Sequence, residues 1–233
     1  MSDYFLFIDT EASGLPKNWS VPYTAVDNWP HAVQVSWIIY NHDREEIKRQ
    51  DHYIRNTDFE ISESALRVHG ITDEYLAQHG KSRSEVMNLL VNDMLRFRPM
   101  VIGHFIKLDY YVISADLHRA GIDNPLHTLP VFCTMLASKY LARNPMPRQL
   151  RLDELYRVLF YKELEGQHNA LVDTEATAEC YFELLNRGEI TSKLIDEQNA
   201  EAAKWRNPTG KNTGCVLPAL LVVLIGILIF YLV

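Results

Sequence analysis

The sequence predicts an α/β fold: a central sheet of mixed strand directions flanked by helices, followed by one apolar C-terminal helix. Three observations carry this. Strand-like runs follow one another over residues 4–54, a helix and a further short strand come next, and helical periodicity then continues to about residue 205. The last 18 residues form an uncharged block of different character (216–233).

Taken in order, residues 4–9 are an apolar run closed by Asp9, the pattern of a buried strand. Residues 13–30 hold Gly14, Pro16, Pro22 and Pro30 among Asn and Trp residues, which makes a long loop. Val and Ile dominate a second strand over 33–40. A weaker third strand covers 47–54, and Asn41-His42-Asp43 supplies the hairpin turn between them. Ser62-Glu63-Ser64-Ala65 has the chemistry of a helix start. Val86, Leu89, Leu90 and Leu95 share one helical face across 82–97. Residues 99–103 form a short strand, and a helix from about 108 to 119 is closed by Gly121. Further helices are expected over 134–142, 153–161, 170–186 and 189–205.

The chain has 233 residues, 47% apolar and 23% charged, enough for one substantial globular domain. Its net charge of −7 argues against a protein that coats nucleic acid through a generally basic surface. It does not exclude a nucleic-acid enzyme in which metal ions supply the local positive charge. Cys133, Cys180 and Cys215 are widely spaced with no CxxC pair, so packed thiols in a reducing compartment are expected. Asp3 stands where a secretory signal needs positive charge, so no signal peptide is expected. Residues 216–233 would span roughly 27 Å as a helix, close to the thickness of a hydrocarbon core. Lys204, Arg206 and Lys211 precede them. The expectation is a single-pass tail anchor in a lipid bilayer, with the bulk of the chain facing the cytoplasm.

The chemistry concentrates at the ends of apolar stretches. Asp9 and Glu11 sit two apart and share one strand face. Asp109 follows the strand ending at Gly103 and falls in the opening turn of a helix. Asp173 lies early in a helix beginning near Asn169, with His168 just ahead of it. Oxygen ligands of this kind suit Mg²⁺ or Mn²⁺. Two such ions about 3.5–4 Å apart can stabilise both the attacking and the leaving oxygen of a phosphodiester displacement. A neutral histidine can take the proton of the attacking water.

The ordered set resembles the DEDDh exonucleases, the family of the proofreading epsilon subunit of bacterial DNA polymerase III and of ribonuclease T. Phe7-Ile8-Asp9-Thr10-Glu11-Ala12-Ser13-Gly14-Leu15 is close to the family's F-x-D-x-E-T-T-G-L. Val68-His69-Gly70-Ile71-Thr72 is similar to its VHGIT segment, and His168 to Asp173 keeps its H-x4-D spacing. The resemblance covers roughly residues 3–187 and implies a ribonuclease H-like exonuclease fold. The chain is thus divided into an exonuclease domain (1–187), where the resemblance lies, and, from the composition of the rest, a C-terminal helix (188–206), a linker (207–215) and the membrane tail (216–233).

The resemblance also implies roles. Asp9, Glu11, Asp109 and Asp173 would hold two Mg²⁺ or Mn²⁺ ions, and His168 would be the general base. The backbone at Ala12 would meet the terminal 3′ hydroxyl, Leu15 would pack on the terminal base, and His69 would flank the substrate. The implied activity is 3′-to-5′ hydrolysis of single-stranded DNA or RNA ends to nucleoside 5′-monophosphates. Two positions depart from the pattern. The second motif, H-N-x-x-F-D in the family, reads His104-Phe105-Ile106-Lys107-Leu108-Asp109, so Phe105 replaces an Asn whose amide would orient substrate or a neighbouring loop. The family's D-T after a later strand is Cys133-Thr134.

Lys107, Arg143, Arg148 and Arg151 are candidates to meet backbone phosphates. Trp19, Tyr23 and Trp29 either stack bases or anchor the long loop. Two competing functions are a nuclease-like binding module without turnover and a proofreading partner of a polymerase. Retention of all the acids and the histidine argues against the first, and the membrane tail against the second.

Overall fold

A computed structural model describes residues 3–139, 141 and 148–206. The linker, the membrane segment, Lys211, Cys215 and Arg143 lie outside the described residues. Among those described, no helix is long and apolar enough to cross a membrane.

Five strands form one sheet: β1 (Tyr4–Ala12), β2 (Ala32–Asn41), β3 (Glu46–Tyr53), β4 (Met100–Gly103) and β5 (Val131–Cys133). Their order is β3-β2-β1-β4-β5. β1–β2 and β2–β3 pair antiparallel, whereas β1–β4 and β4–β5 pair parallel, which is the mixed sheet expected. Among the described residues eight α-helices accompany it: α1 (Glu63–His69), α2 (Asp73–His79), α3 (Arg83–Phe97), α4 (Ile106–Arg119), α5 (Thr134–Ser138), α6 (Leu152–Phe160), α7 (Ala170–Asn186) and α8 (Ser192–Arg206).

Alternation along the strands sorts the core into two layers. Leu6 and Ile8 of β1, Val35, Trp37 and Ile39 of β2, and Val101 of β4 face α3 and α4, where they meet Val86, Leu90, Met94, Tyr111 and Val112. Phe5, Phe7, Met100, Ile102 and Phe132 face the other way, onto Leu155 and Leu159 of α6 and Ala178, Tyr181 and Leu184 of α7. Leu6, Phe7 and Ile8 are fully buried. Each is worth about 1.5–3 kcal/mol relative to exposure, so β1 is fixed from both faces.

Helix α8 closes one edge of the sheet. The Gln198 amide accepts from the Cys133 N–H (2.7 Å) and donates to the Cys133 carbonyl (3.2 Å). Asn199 accepts from the Val131 N–H at 2.9 Å. Side-chain amides thus satisfy backbone groups that a further strand would otherwise pair.

The long loop after β1 is tied down by its aromatics. Trp29 stacks on Tyr111 of α4 (centroids 4.1 Å apart, planes 4° from parallel), and its indole N–H donates to the Pro22 carbonyl. The Tyr23 hydroxyl meets His127 at 3.0 Å. Trp29 and Tyr23 therefore take the anchoring role.

Several bounds differ from the sequence expectation. β1 runs on past Asp9 because its pairing with β2 continues through Glu11↔Gln34 and Ala12↔Ala32. α4 starts at Ile106, two residues earlier than expected. α5 ends at Ser138, short of residue 142, and α8 begins at Ser192, after 189. α2 was not expected at all: it buries only Leu76, so it has no apolar stripe, and its definition comes from Thr72 capping the Tyr75 N–H. Cys133 and Cys180 are buried free thiols, as expected.

Candidate active site

The site is assembled where β1, the start of α4 and the start of α7 meet. The crossing from β4 to α4 is tight. A Cβ on Gly103 would lie 2.8 Å from Ile106 Cδ1 and 3.2 Å from the Ile8 carbonyl, so glycine is what lets the turn pass beside β1. Phe105 follows in the left-handed region at φ 67°. This swings the chain so that Asp109 falls in the first turn of α4.

Thr10 stands between the two acids of β1 and holds Asp109. Its N–H (3.0 Å) and its hydroxyl (2.8 Å) both donate to Asp109 Oδ1. At α7, the Asn169 side chain caps the helix by accepting from the Leu171 and Val172 N–H groups. The buried Gln34 accepts from the Ala170 N–H at 3.1 Å and donates to Asp51 at 2.8 Å, locking the helix start to the sheet. His168, also left-handed at φ 65°, donates its backbone N–H to Asp173 Oδ2 at 3.1 Å. The other Asp173 oxygen is buried and has no hydrogen-bond partner among the described residues.

The four acids and His168 converge. Ligand atoms of Glu11, His168 and Asp173 lie within 4.8 Å of one another. Asp9, His168 and Asp173 line a cavity of about 220 Å³ together with His104, Met135, Arg151, Asp153 and Gln167. Burial, reinforced by the neighbouring carboxylates Asp109, Asp173 and Glu11, raises the Asp9 carboxyl well above its usual range. Burial pushes Glu11 up to about 8, with Asp173 and Asp109 adding to it. Burial also raises Asp109 to about 7, against the opposing hydrogen bonds from Thr10. Asp173 rises to about 6, again chiefly through burial. Buried, mutually repelling carboxylates with an orphaned oxygen fit a site for hard divalent cations, which supply the missing positive charge.

The remaining sequence candidates fall around this centre. Ala12 lies where the β1–β2 register shifts, and Leu15 is 77% exposed. His69 accepts from the Ile71 N–H through Nδ1, while its Nε2 is buried without a well-formed hydrogen bond among the described residues. Burial lowers the His69 pKa, and the Ala12 backbone opposes that shift, which puts the imidazole beside Ala12. Phe105 packs its ring on Trp19 (centroids 5.6 Å apart), and Lys107 Nζ lies 5.6 Å from the Trp19 ring centre.

Sequence reasoning missed Thr10, Gln34 and Asp153, and it did not give His104 a role of its own. His104 donates through Nε2 to the Leu150 carbonyl (3.1 Å) and accepts at Nδ1 from the Thr134 hydroxyl (3.0 Å), joining the end of β4 to α5 and to the approach of α6. Burial lowers its pKa to about 4, which keeps it neutral. A threonine flanked by two acids was a visible signal. The others act through contacts distant in sequence and left no local mark.

The family model for exonucleases matches residues 6–181. The chain belongs to the exonuclease family. Exonuclease I structures share the fold of this exonuclease-family chain. The one described as suggesting how processivity is achieved has a TM-score of 0.67 at 16% identity, over 88% of this chain and 45% of that one. Exonuclease I of E. coli in complex with a dA16 oligonucleotide gives 0.66 at 16% identity, over 88% and 44%. A product-bound exonuclease I gives 0.65 at 16% identity, over 84% and 46%. The exonuclease-family chain thus spans less than half the length of these neighbours. No curated protein matches it in sequence.

Proposed function

We propose that this protein is a metal-dependent 3′-to-5′ exonuclease that releases nucleoside 5′-monophosphates from single-stranded nucleic acid, tethered to a membrane by residues 216–233 with its catalytic domain on the cytoplasmic side. The observation that carries the activity is the convergence of Asp9, Glu11, Asp109, Asp173 and His168 at one end of the sheet. The exonuclease I neighbours solved with single-stranded oligonucleotides support the substrate class.

Asp9, Glu11, Asp109 and Asp173 would hold two Mg²⁺ or Mn²⁺ ions. When bound, such ions stabilise the charge that builds up in an in-line displacement and make water a better nucleophile near neutral pH. His168 takes the proton of the attacking water. Its backbone bond to Asp173 keeps that imidazole next to the acids. Water oxygen bonds to phosphorus, the bond from phosphorus to the penultimate 3′ oxygen breaks, and that oxygen takes up a proton from solvent. Leu15 presents an exposed apolar surface on which the terminal base packs, and the His69 imidazole, beside Ala12, borders the sugar.

Labelled single strands with free or blocked 3′ ends, made as DNA and as RNA and incubated with Mn²⁺ or EDTA, test this reading. Mononucleotides should appear only with metal and only from free 3′ ends. Equal digestion of blocked strands would overturn the polarity. The tether is tested by membrane fractionation: release at alkaline pH without detergent would overturn it.

A further inference from the structure

The metal cavity has a basic wall as well as its acids. Arg151 lines it together with Asp9, His168 and Asp173, and no other Lys or Arg does so among the described residues. The three arginines singled out in the sequence have different fates. Arg143 lies outside the described residues. Arg148 turns away to form a paired contact with Glu154. Arg151, with 68% of its side chain exposed, approaches Asp153 most closely through Nε, at 3.2 Å. Among the described residues Asp153 is the one acid paired with it. Its partner Asp153 is largely buried, with 16% of its side chain exposed, and it lines the same cavity.

A guanidinium held at Nε presents its remaining N–H groups as a planar fork, the geometry that suits two oxygens of one phosphate. We propose that Arg151 grips the scissile phosphate and that Asp153 is the positioning residue that aims it. This rests on the nuclease reading above. The charge that the phosphodiester gains during displacement is stabilised by hydrogen-bond donors aimed at it, and Arg151 is the cationic donor on this wall among the described residues. Asp153 sits at the start of α6 and points back to Arg151, so it serves as a brace and not as a fifth metal ligand.

The full chain and its R151A, R151K, D153N and R151A/D153N variants should be compared on two substrates. One is a single-stranded 12-mer. The other is the p-nitrophenyl ester of thymidine 5′-monophosphate, whose only phosphodiester is the scissile one. R151A should lower kcat/KM roughly 10- to 100-fold on both substrates, and R151K should recover part of that loss. D153N should cost several-fold alone and add nothing to R151A. Mn²⁺ affinity measured by calorimetry should be unchanged in all four variants. A loss confined to the 12-mer would move the contact to another phosphate and overturn the assignment. Wild-type rates for R151A on both substrates would overturn it as well. Weakened Mn²⁺ binding in D153N would make Asp153 a ligand and refute its bracing role. If instead the wild-type protein is inactive on both substrates, the nuclease reading falls and this inference falls with it.

Discussion

Asp173 combines two features that normally destabilise a protein: a carboxyl raised by burial and a buried oxygen with no partner. A divalent ion removes both costs, so Asp173→Asn should abolish metal-dependent hydrolysis by roughly a thousandfold or more while leaving the fold intact by circular dichroism. His168→Ala should cost about 10²–10⁴-fold, with Mn²⁺ affinity measured by calorimetry nearly preserved if the imidazole serves as base. Thr10 offers a finer test. Its hydroxyl bond to Asp109 lowers that carboxyl's pKa, so Thr10→Val should weaken metal binding by about 1–2 kcal/mol through a ligand it does not itself provide. The acids and His168 were legible in the sequence because each ends an apolar run or opens a helix. Thr10's task was not, because its partner lies 99 residues away.

The elements around the site differ in how plainly the sequence announced them. α7 and β2 have strong patterns, and their observed extents agree with expectation to within one residue at each end. α2 and β5 were opaque at the element level, one with a single buried leucine and the other only three residues long. What the sequence did not convey is how α7 is seated. Asn169 caps it and Gln34 reaches across from β2 to its first N–H. Asn169→Ala should lower stability by about 1 kcal/mol in denaturant titration, and Asn169→Asp should restore most of it. The loop after β1 depends on Trp29, which is 2% exposed and stacked on Tyr111. Trp29→Ala should cost about 3–5 kcal/mol and increase amide exchange across residues 13–31.

Across the whole molecule, the acids and two histidines pull stability in opposite directions with pH. Glu11, Asp109 and Asp173 have folded pKa values raised to about 8, 7 and 6 from ordinary values of 4.5 and 3.8. Their stabilising contribution is full below about pH 4 and is lost as pH rises through those folded values. His31 is lowered to about 4 by burial and by Arg119 and Arg83, and His104 to about 4 by burial. Their contribution is present above pH 6.5 and is lost as pH falls toward 4. Three raised acids outweigh two lowered histidines, so in EDTA the melting temperature should be highest in acidic buffer near pH 4 and decline toward pH 8. Millimolar Mn²⁺ should raise it, and the gain should widen as pH increases. A flat metal effect from pH 5 to 8 would contradict the carboxylates as its source.

The amide side chains of Gln198 and Asn199 have a practical consequence for anyone dividing this chain. Cutting it at residue 187, where the resemblance to nucleases fades, or at 181, where the family match ends, would strip α8 from β5 and leave raw hydrogen-bonding groups on a flat ribbon. The opposite margin, β3, carries Glu46, Lys48 and Arg49 and repels newcomers by charge. Fragments lacking residues 192–206 should therefore self-associate through β5 and elute early in gel filtration. The same protein extended to residue 206 should run as a discrete species.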